Sequence, residues 1–413
     1  MASKRTIELV QATVPALQAH GLALTTHFYT RLFAHEPELR NIFNLGNQAG
    51  GRQQQALAQA VLAYAQNIEN PAALAPVASR IAHKHASIGI RAKHYPIVGR
   101  HLLASIREVL GTAATEEIIA AWAEAYGELA DVLIAAEAEL YRAAAAAPGG
   151  WDGWREFVVE RKESESELIT SFYLRPADGG ALPPFVPGQF VSLVQYIPEL
   201  GHEQIRQYSL SEAPNTRYFR ISVKREGQDP QGAVSNRLHD AVNVGDRVRL
   251  SPPYGDFYLD EERTTPVVLV SGGVGLTPMI SMLNALAQTT RRAMFVHGAR
   301  NGRVHALKGH VEQLAAEHAH VEHVVFYDAP DATDVLGRDY HFEGVVDLER
   351  VRGRVELADA DYYLCGPLPF MLKQRDTLLS WGVPAGRVHY EVFGPDQIVT
   401  APKGLVDSVA LAA

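Results

Sequence analysis

Four stretches of this chain bring together side chains able to do chemistry. Arg206-Gln207-Tyr208-Ser209 sets a guanidinium, a phenol and a hydroxyl close together. A guanidinium pairs with a nucleotide phosphate, a phenol stacks on a flavin ring, and a hydroxyl reaches that ring's N5 edge. We place these four residues at the start of a strand. In Gly232-Ala233-Val234-Ser235-Asn236-Arg237-Leu238, Ser235 is expected to cap a short helix and aim backbone N–H groups at a diphosphate. Ser271-Gly272-Gly273-Val274-Gly275-Leu276-Thr277-Pro278 follows the apolar run Val267 to Val270 and precedes a helical pattern. Strand, glycine turn and helix is the order that binds nucleotides, although the strict three-glycine dinucleotide spacing is absent. His85 lies near the end of an amphipathic helix, where an inward imidazole could ligate a haem iron; with 17 histidines in the chain, residue type alone does not select it.

Elements must position these groups. Up to residue 147, apolar residues recur at three- and four-residue steps, as in Leu24, Phe28 and Leu32, and in Leu129, Val132, Leu133, Ala136 and Leu140. Breaks are expected at Gly21, Glu36-Pro37, Gly46 to Gly51, Asn70-Pro71 and Gly111, which leaves about six or seven helices. Ala143 to Ala147 then meets Pro148-Gly149-Gly150, where helix propensity collapses, so a linker is assigned to 148–153.

From 154 to 262 the pattern shifts to short strands between Pro/Gly turns, which predicts an antiparallel Greek-key β-barrel. From 263 to 396, Val267 to Val270, Ala293 to His297, His323 to Tyr327 and Asp361 to Cys365 alternate with helices, which predicts an α/β doubly wound unit. Cys365-Gly366-Pro367 ends one of those strands, and its backbone is expected to approach a nicotinamide closely. No base adjoins Cys365, so we read it as a small buried apolar residue and not as a nucleophile. Residues 397–413 form a tail.

The chain has 413 residues, enough for two or three domains with their own cores. With 47% hydrophobic residues, 21% charged and a net charge of -9, it reads as a soluble protein that binds small molecules and no nucleic acid. A single cysteine excludes an intramolecular disulfide, and the start of the sequence lacks a secretory apolar stretch. No apolar run reaches the roughly 18 to 20 residues of a membrane span, so no stable membrane insertion is expected. A cytoplasmic protein is the expectation.

Phe28-Tyr29, Phe43, Gln53, Leu57, Lys84-His85 and Lys93-His94-Tyr95 in the helical third, together with the flavin and glycine motifs, resemble the flavohaemoglobin family. In that family a globin is fused to a ferredoxin reductase-like FAD/NAD(P) module. The resemblance covers residues 1 to about 396. It implies haem b held by His85, with Phe43, Leu57 and Lys84 around the pocket, and Tyr29 and Gln53 on the oxygen side. Tyr95 and Glu137 match the pair that hydrogen-bonds the axial histidine; without the resemblance, Glu137 would read as a solvated charge, like Glu139. Pro187-Gly188-Gln189-Phe190 and Pro253-Tyr254-Gly255-Asp256-Phe257 match turns around FAD, with Phe190 where tyrosine is common. Glu391-Val392-Phe393-Gly394-Pro395 matches the terminal motif beside the flavin.

The activity the resemblance implies is nitric oxide dioxygenase: nitric oxide and O2 become nitrate, with NAD(P)H electrons relayed through FAD to haem. The same residues permit a reductase acting on lipid hydroperoxides or ferric iron, or an oxygen or nitric oxide sensor. A lipid in the distal haem pocket also stays open. Arg300 could face the 2′-phosphate of NADPH or only solvent. The last residues, Val409 to Ala413, resemble the end of a bacterial degradation tag or form a frayed tail.

Overall fold

The computed structural model describes residues 2–43, 51–227 and 232–394. The predicted break from Gly46 falls mostly outside these residues, as do Pro395 and the tail.

Six α-helices make up the first unit among the described residues: α1 (Lys4–Ala12), α2 (Val14–His35), α3 (Arg52–Asn67), α4 (Ala75–Ile88), α5 (His94–Leu110) and α6 (Glu116–Ala146). Their core is built on Val10, Leu17, Leu24, Phe28, Leu32, Leu102, Ile106 and Trp122. Helix α2 packs on α3 and α5, and α4 packs on α6. Gly21 does not break a helix. It sits buried inside α2, where a Cβ would lie 3.5 Å from the Ala58 Cβ of α3, so its role is close helix approach. The break falls instead at Thr13, because Pro15 in the first turn of α2 has no N–H to continue α1. Val132 also departs from expectation. It is exposed, because its position on α6 lies outside the stripe through Leu129, Leu133 and Leu140.

Helix α6 starts at Thr115, whose side chain accepts from the Ile118 N–H, and carries Glu116 and Glu117 in its first turn, where the helix dipole favours negative charge. It stops at Ala147 before Pro148. The next unit holds β1 (Arg155–Ser164), β2 (Ile169–Pro176), β3 (Phe190–Ile197), β4 (His202–Ser209), β5 (Phe219–Lys224), helix α7 (Ala233–Asp240) and β6 (Arg247–Leu250). The antiparallel order is β4-β3-β6-β1-β2-β5. A bridge from Leu210 to Ile221 and the Ser211 N–H to Arg220 carbonyl bond of 2.9 Å join β4 to β5 and close the barrel. Closure removes the free edges that such a sheet would otherwise present.

The third unit is an all-parallel sheet of order β10-β9-β8-β7-β11-β12. Its strands are β7 (Val267–Gly272), β8 (Ala293–Ala299), β9 (Val321–Tyr327), β10 (Phe342–Glu343), β11 (Asp361–Cys365) and β12 (Val388–Glu391), with helices α8 (Leu276–Ala287), α9 (Lys308–Glu317), α10 (Arg352–Val355) and α11 (Leu368–Ser380) between them. The order reverses between β7 and β11, which sets a crevice at the carboxyl ends of those two strands. No helix among the described residues is long and apolar enough to cross a membrane.

Candidate active site

The last turn of α4 carries His85. Its Nδ1 lies 2.8 Å from Glu137 Oε1 and 3.2 Å from the Tyr95 hydroxyl. Tyr95 in turn donates to the same Glu137 oxygen at 2.5 Å. Glu137 is only 1% exposed. It belongs to the buried stripe of α6, four residues after Leu133 and three before Leu140, so helical position was the signal that could have separated it from Glu139, which pairs with Arg142 on the surface. Burial, followed by the bond to Glu137, raises the Tyr95 pKa and keeps the phenol protonated as a donor. Tyr126 holds Tyr95 in place: its hydroxyl donates to the Tyr95 carbonyl at 2.7 Å, and Gly99 leaves room for the Tyr126 ring.

A carboxylate on Nδ1 fixes the imidazole tautomer with its proton there, which leaves the Nε2 lone pair as the ligating atom. In the core cluster of α2, the Tyr29 ring stacks on Phe33 at 6.0 Å and meets Phe43 edge-on at 5.8 Å. Leu57 packs into the same cluster. Gln53 Oε1 is buried with no hydrogen-bond partner among the described residues, and so is available to a ligand. An oriented imidazole, an aromatic wall and an orphaned amide oxygen fit a haem.

The flavin motif lies at the end of β4, not at a strand start as expected. Apolar patterning missed the preceding residues because His202, Glu203 and Gln204 are polar, yet Gln204 is fully buried and the strand pairs with β3 throughout. Arg206 bonds the Ile205 carbonyl at 2.7 Å and makes no ion pair among the described residues. Burial lowers its pKa, only partly opposed by Tyr208. A desolvated cation without a carboxylate suits a diphosphate, which is the fit expected for FAD. Tyr208 packs against the barrel core, and burial raises its pKa. Ser209 closes the strand, buried opposite Phe190.

Phe190 and Tyr254 exchange two backbone hydrogen bonds of 2.8 and 2.9 Å, so the two predicted flavin turns are joined to each other. Ser235 does not cap α7. Gly232 occupies the cap position, and the Ser235 hydroxyl, inside the first turn, donates to the Gly232 carbonyl at 3.2 Å and accepts from the Glu226 N–H at 3.3 Å. The chain doubles back so tightly that a Cβ on Gly232 would sit 2.4 Å from that hydroxyl, which is why the smallest residue takes the cap. Val234 is fully buried beneath the turn.

At the crevice between β7 and β11, Gly273 to Gly275 form a 3₁₀ turn that leads into α8. Gly273 has φ +55°, and a Cβ on Gly275 would lie 2.2 Å from the Cys365 carbonyl oxygen. Val274 is half-buried, Leu276 is in the core, Thr277 donates to the Val274 carbonyl at 3.2 Å, and Pro278 sits in the first turn of α8, where no helical N–H is missed. Cys365 is fully buried, Gly366 packs on Phe370, and Pro367 starts α11. Glu391 ends β12; Val392 is buried, Phe393 is exposed, and Gly394 follows with φ +140°.

Three residues that sequence reasoning passed over lie with Lys84 on one face of α4. Arg80, His83, Lys84 and Ser87 stand at i, i+3, i+4 and i+7, and all touch the barrel or the parallel-sheet unit. Arg80 lies 3.7 Å from Asp256 and 5.2 Å over the Tyr390 ring. His83 Nδ1 accepts from the Gly255 N–H at 3.0 Å. Lys84 donates to the Gly394 carbonyl at 3.2 Å and lies 4.0 Å from Glu391. Ser87 receives Gln207, whose amide reaches across from the barrel to the helical unit at 2.8 Å. The polar stripe on an otherwise amphipathic helix was the legible signal.

The chain matches three family models in order: Globin over residues 26–133, Oxidoreductase FAD-binding domain over 156–258, and Oxidoreductase NAD-binding domain over 269–376. It is 56% identical to the flavohemoprotein of Rhizobium meliloti over 96% of this chain and 99% of that one. The chain belongs to the flavohemoprotein family. The Chromobacterium violaceum flavohemoprotein is 58% identical, with 95% of this chain and 98% of that one covered. The fold agrees with the crystal structure of flavohemoglobin from Malassezia yamatoensis with bound FAD and heme, at a TM-score of 0.84, 29% identity and coverage of 95% of this chain and 99% of that one. The reductase half, 58% of this chain, matches 99% of the FAD/NAD binding domain of nitric oxide dioxygenase from Vibrio cholerae at 42% identity and a TM-score of 0.53. This flavohemoprotein therefore joins a globin to an oxidoreductase module in one polypeptide.

Proposed function

We propose that this flavohemoprotein is an NAD(P)H-dependent nitric oxide dioxygenase. It converts nitric oxide and O2 to nitrate, one hydride supporting two turnovers. We propose residues 1–147 as the globin unit, 148–153 as linker, 154–262 as the flavin barrel and 263–396 as the nicotinamide unit. When bound, haem b supplies an iron centre for O2, and FAD converts the two electrons of a hydride into the single electrons that iron accepts.

The observation that carries this reading is His85, bonded through Nδ1 to a buried carboxylate and carried on the helix that docks the reductase. Glu137 increases the basicity of the imidazole, and Tyr95 holds Glu137 in position. Tyr29 offers a hydroxyl and Gln53 an amide on the oxygen side, in a pocket walled by Phe43 and Leu57. Arg206 and the first turn of α7 hold the flavin diphosphate, Tyr208 and Ser209 face its ring, and the Gly273 to Pro278 loop holds the pyridine nucleotide. Lys84 and Glu391 meet where globin and reductase join. NAD(P)H is a cytoplasmic reductant and the lone thiol is buried, so we place the activity in the cytoplasm.

The test is nitric oxide consumption by haem- and FAD-loaded protein with NADH or NADPH, before and after O2 is admitted, with nitrate measured beside a Tyr29→Phe variant. Oxygen-dependent nitrate formation that the variant slows supports the proposal. Reduction of both cofactors without nitric oxide consumption overturns it in favour of a general reductase.

A further inference from the structure

Ser87 lies two residues after the axial histidine, roughly 200° around the helix, so its side chain leaves the opposite side of α4 from His85. It is 1% exposed, and its hydroxyl makes every bond a hydroxyl can make. It donates to the Lys84 carbonyl at 2.8 Å. It accepts from Ser192 Oγ at 2.9 Å and from Gln207 Nε2 at 2.8 Å. Ser192 is itself locked: its N–H donates to Ser251 Oγ at 2.9 Å and its carbonyl accepts the Ser251 N–H at 2.9 Å. Ser251 leads into the turn whose Gly255 N–H reaches His83. One buried hydroxyl of the globin thus gathers the β3 strand, the flavin-motif strand β4 and the last turn of the ligand helix.

We propose that Ser87 is the positioning residue that holds the axial-ligand helix in register with the flavin motif, and that electron delivery from flavin to haem depends on it. The assignment rests on the electron path proposed above. Without the Ser87 oxygen, the buried Ser192 hydroxyl loses its acceptor and the exposed Gln207 amide turns from the ligand helix to water; a buried donor without an acceptor favours an arrangement in which water reaches it. The docked arrangement, in which flavin and haem are held at one separation, then loses population. The His85 bonds to Glu137 and Tyr95 lie on the other face and involve none of these atoms.

The test uses the full-length protein loaded with haem and FAD, mixed anaerobically with NADH and followed at flavin and haem wavelengths. In Ser87→Ala, flavin reduction keeps its rate and the subsequent haem reduction slows by about tenfold, the population change expected for loss of a shared buried acceptor. The iron–histidine stretching band of the ferrous protein stays in place, because the imidazole keeps its partners. Ser192→Ala slows haem reduction less, and the Ser87→Ala/Ser192→Ala double variant is no slower than Ser87→Ala, since both act through one oxygen. Haem reduction within twofold of the unsubstituted rate in Ser87→Ala overturns the assignment. So do multiplicative effects in the double variant or a shifted iron–histidine band. If the unsubstituted protein passes no electrons to haem from NADH, nor from NADPH in the same experiment, the path itself fails and Ser87 loses its role with it. Nitric oxide consumption is not read in this experiment, so a wrong oxygen chemistry and a wrong role for Ser87 give different results.

Discussion

His85 and Tyr95 share one oxygen of Glu137, at 2.8 Å from the imidazole nitrogen and 2.5 Å from the phenol. The carboxylate therefore acts on the iron ligand while the phenol orients the carboxylate through the shared oxygen; the other oxygen, Oε2, is buried without a hydrogen-bond partner among the described residues. Glu137→Gln keeps the shape and removes the charge. We expect a lower iron–histidine stretching frequency and nitric oxide turnover reduced about 10- to 100-fold, the usual effect of changing a partner of a metal ligand. Raman spectra together with steady-state turnover check this, and an unmoved band would show that the charge does not reach the iron.

Gly275 faces the end of β11 so closely that a Cβ would sit 2.2 Å from the Cys365 oxygen. Gly275→Ala must push the loop away from β11, at a cost of about 1–3 kcal/mol for overpacking. The expected result is a KM for the nicotinamide nucleotide raised at least about tenfold, the effect of some 1.4 kcal/mol of lost binding. The haem spectrum should not change. An unaltered KM would mean that the loop does not bind nucleotide.

Cys365 is fully buried, and burial together with the charge of Glu391 raises its thiol pKa well above the usual range. The thiolate is the reactive form, so the native protein should resist alkylation at pH 8 and react with one equivalent of reagent only when unfolded. Mass spectrometry before and after denaturation decides this. Rapid labelling of the native protein would show that the strand end opens in solution.

His297 is 1% exposed, accepts or donates through Nδ1 to Ser271 at 2.8 Å, and has its pKa lowered by burial to about 4. An unfolded histidine titrates near 6.5, so between the two values the unfolded chain binds the proton that the folded chain refuses. Stability is complete above pH 6.5 and falls as pH drops toward 4, by roughly 3 kcal/mol from this residue. Chemical denaturation at pH 7.5 and pH 5 should show the loss, and His297→Asn should reduce the slope. An equal slope in that variant would remove His297 as its source.

Arg206 has no counter-ion among the described residues, so Arg206→Leu should relieve a desolvated charge in the apoprotein while weakening FAD. A charge-assisted bond of about 2 kcal/mol corresponds to a roughly thirtyfold rise in the FAD dissociation constant. Fluorescence titration of apoprotein with FAD measures it; unchanged affinity would place the diphosphate elsewhere.

Much of this protein is written locally. The glycines from 272 to 275, Pro148-Gly149-Gly150 and the change from helical to strand period act through backbone dihedrals and side-chain spacing, which neighbouring residues dictate. They make the three units and their order legible from the sequence, and the resemblance then points to His85, Tyr29 and the flavin motif. Which face meets which was decided only in three dimensions. Glu137 and Glu139 are alike in sequence, and burial against α4 separates them. Gly21 looks like a break until α3 packs against it, and β10 and β12 are too short to announce themselves before β9 and β11 give them partners. Ser87 finds its donors 105 and 120 residues away. Sequence specifies periods and turns because those are short-range; the union of ligand helix and flavin strand exists only once two separately formed surfaces exclude water between them.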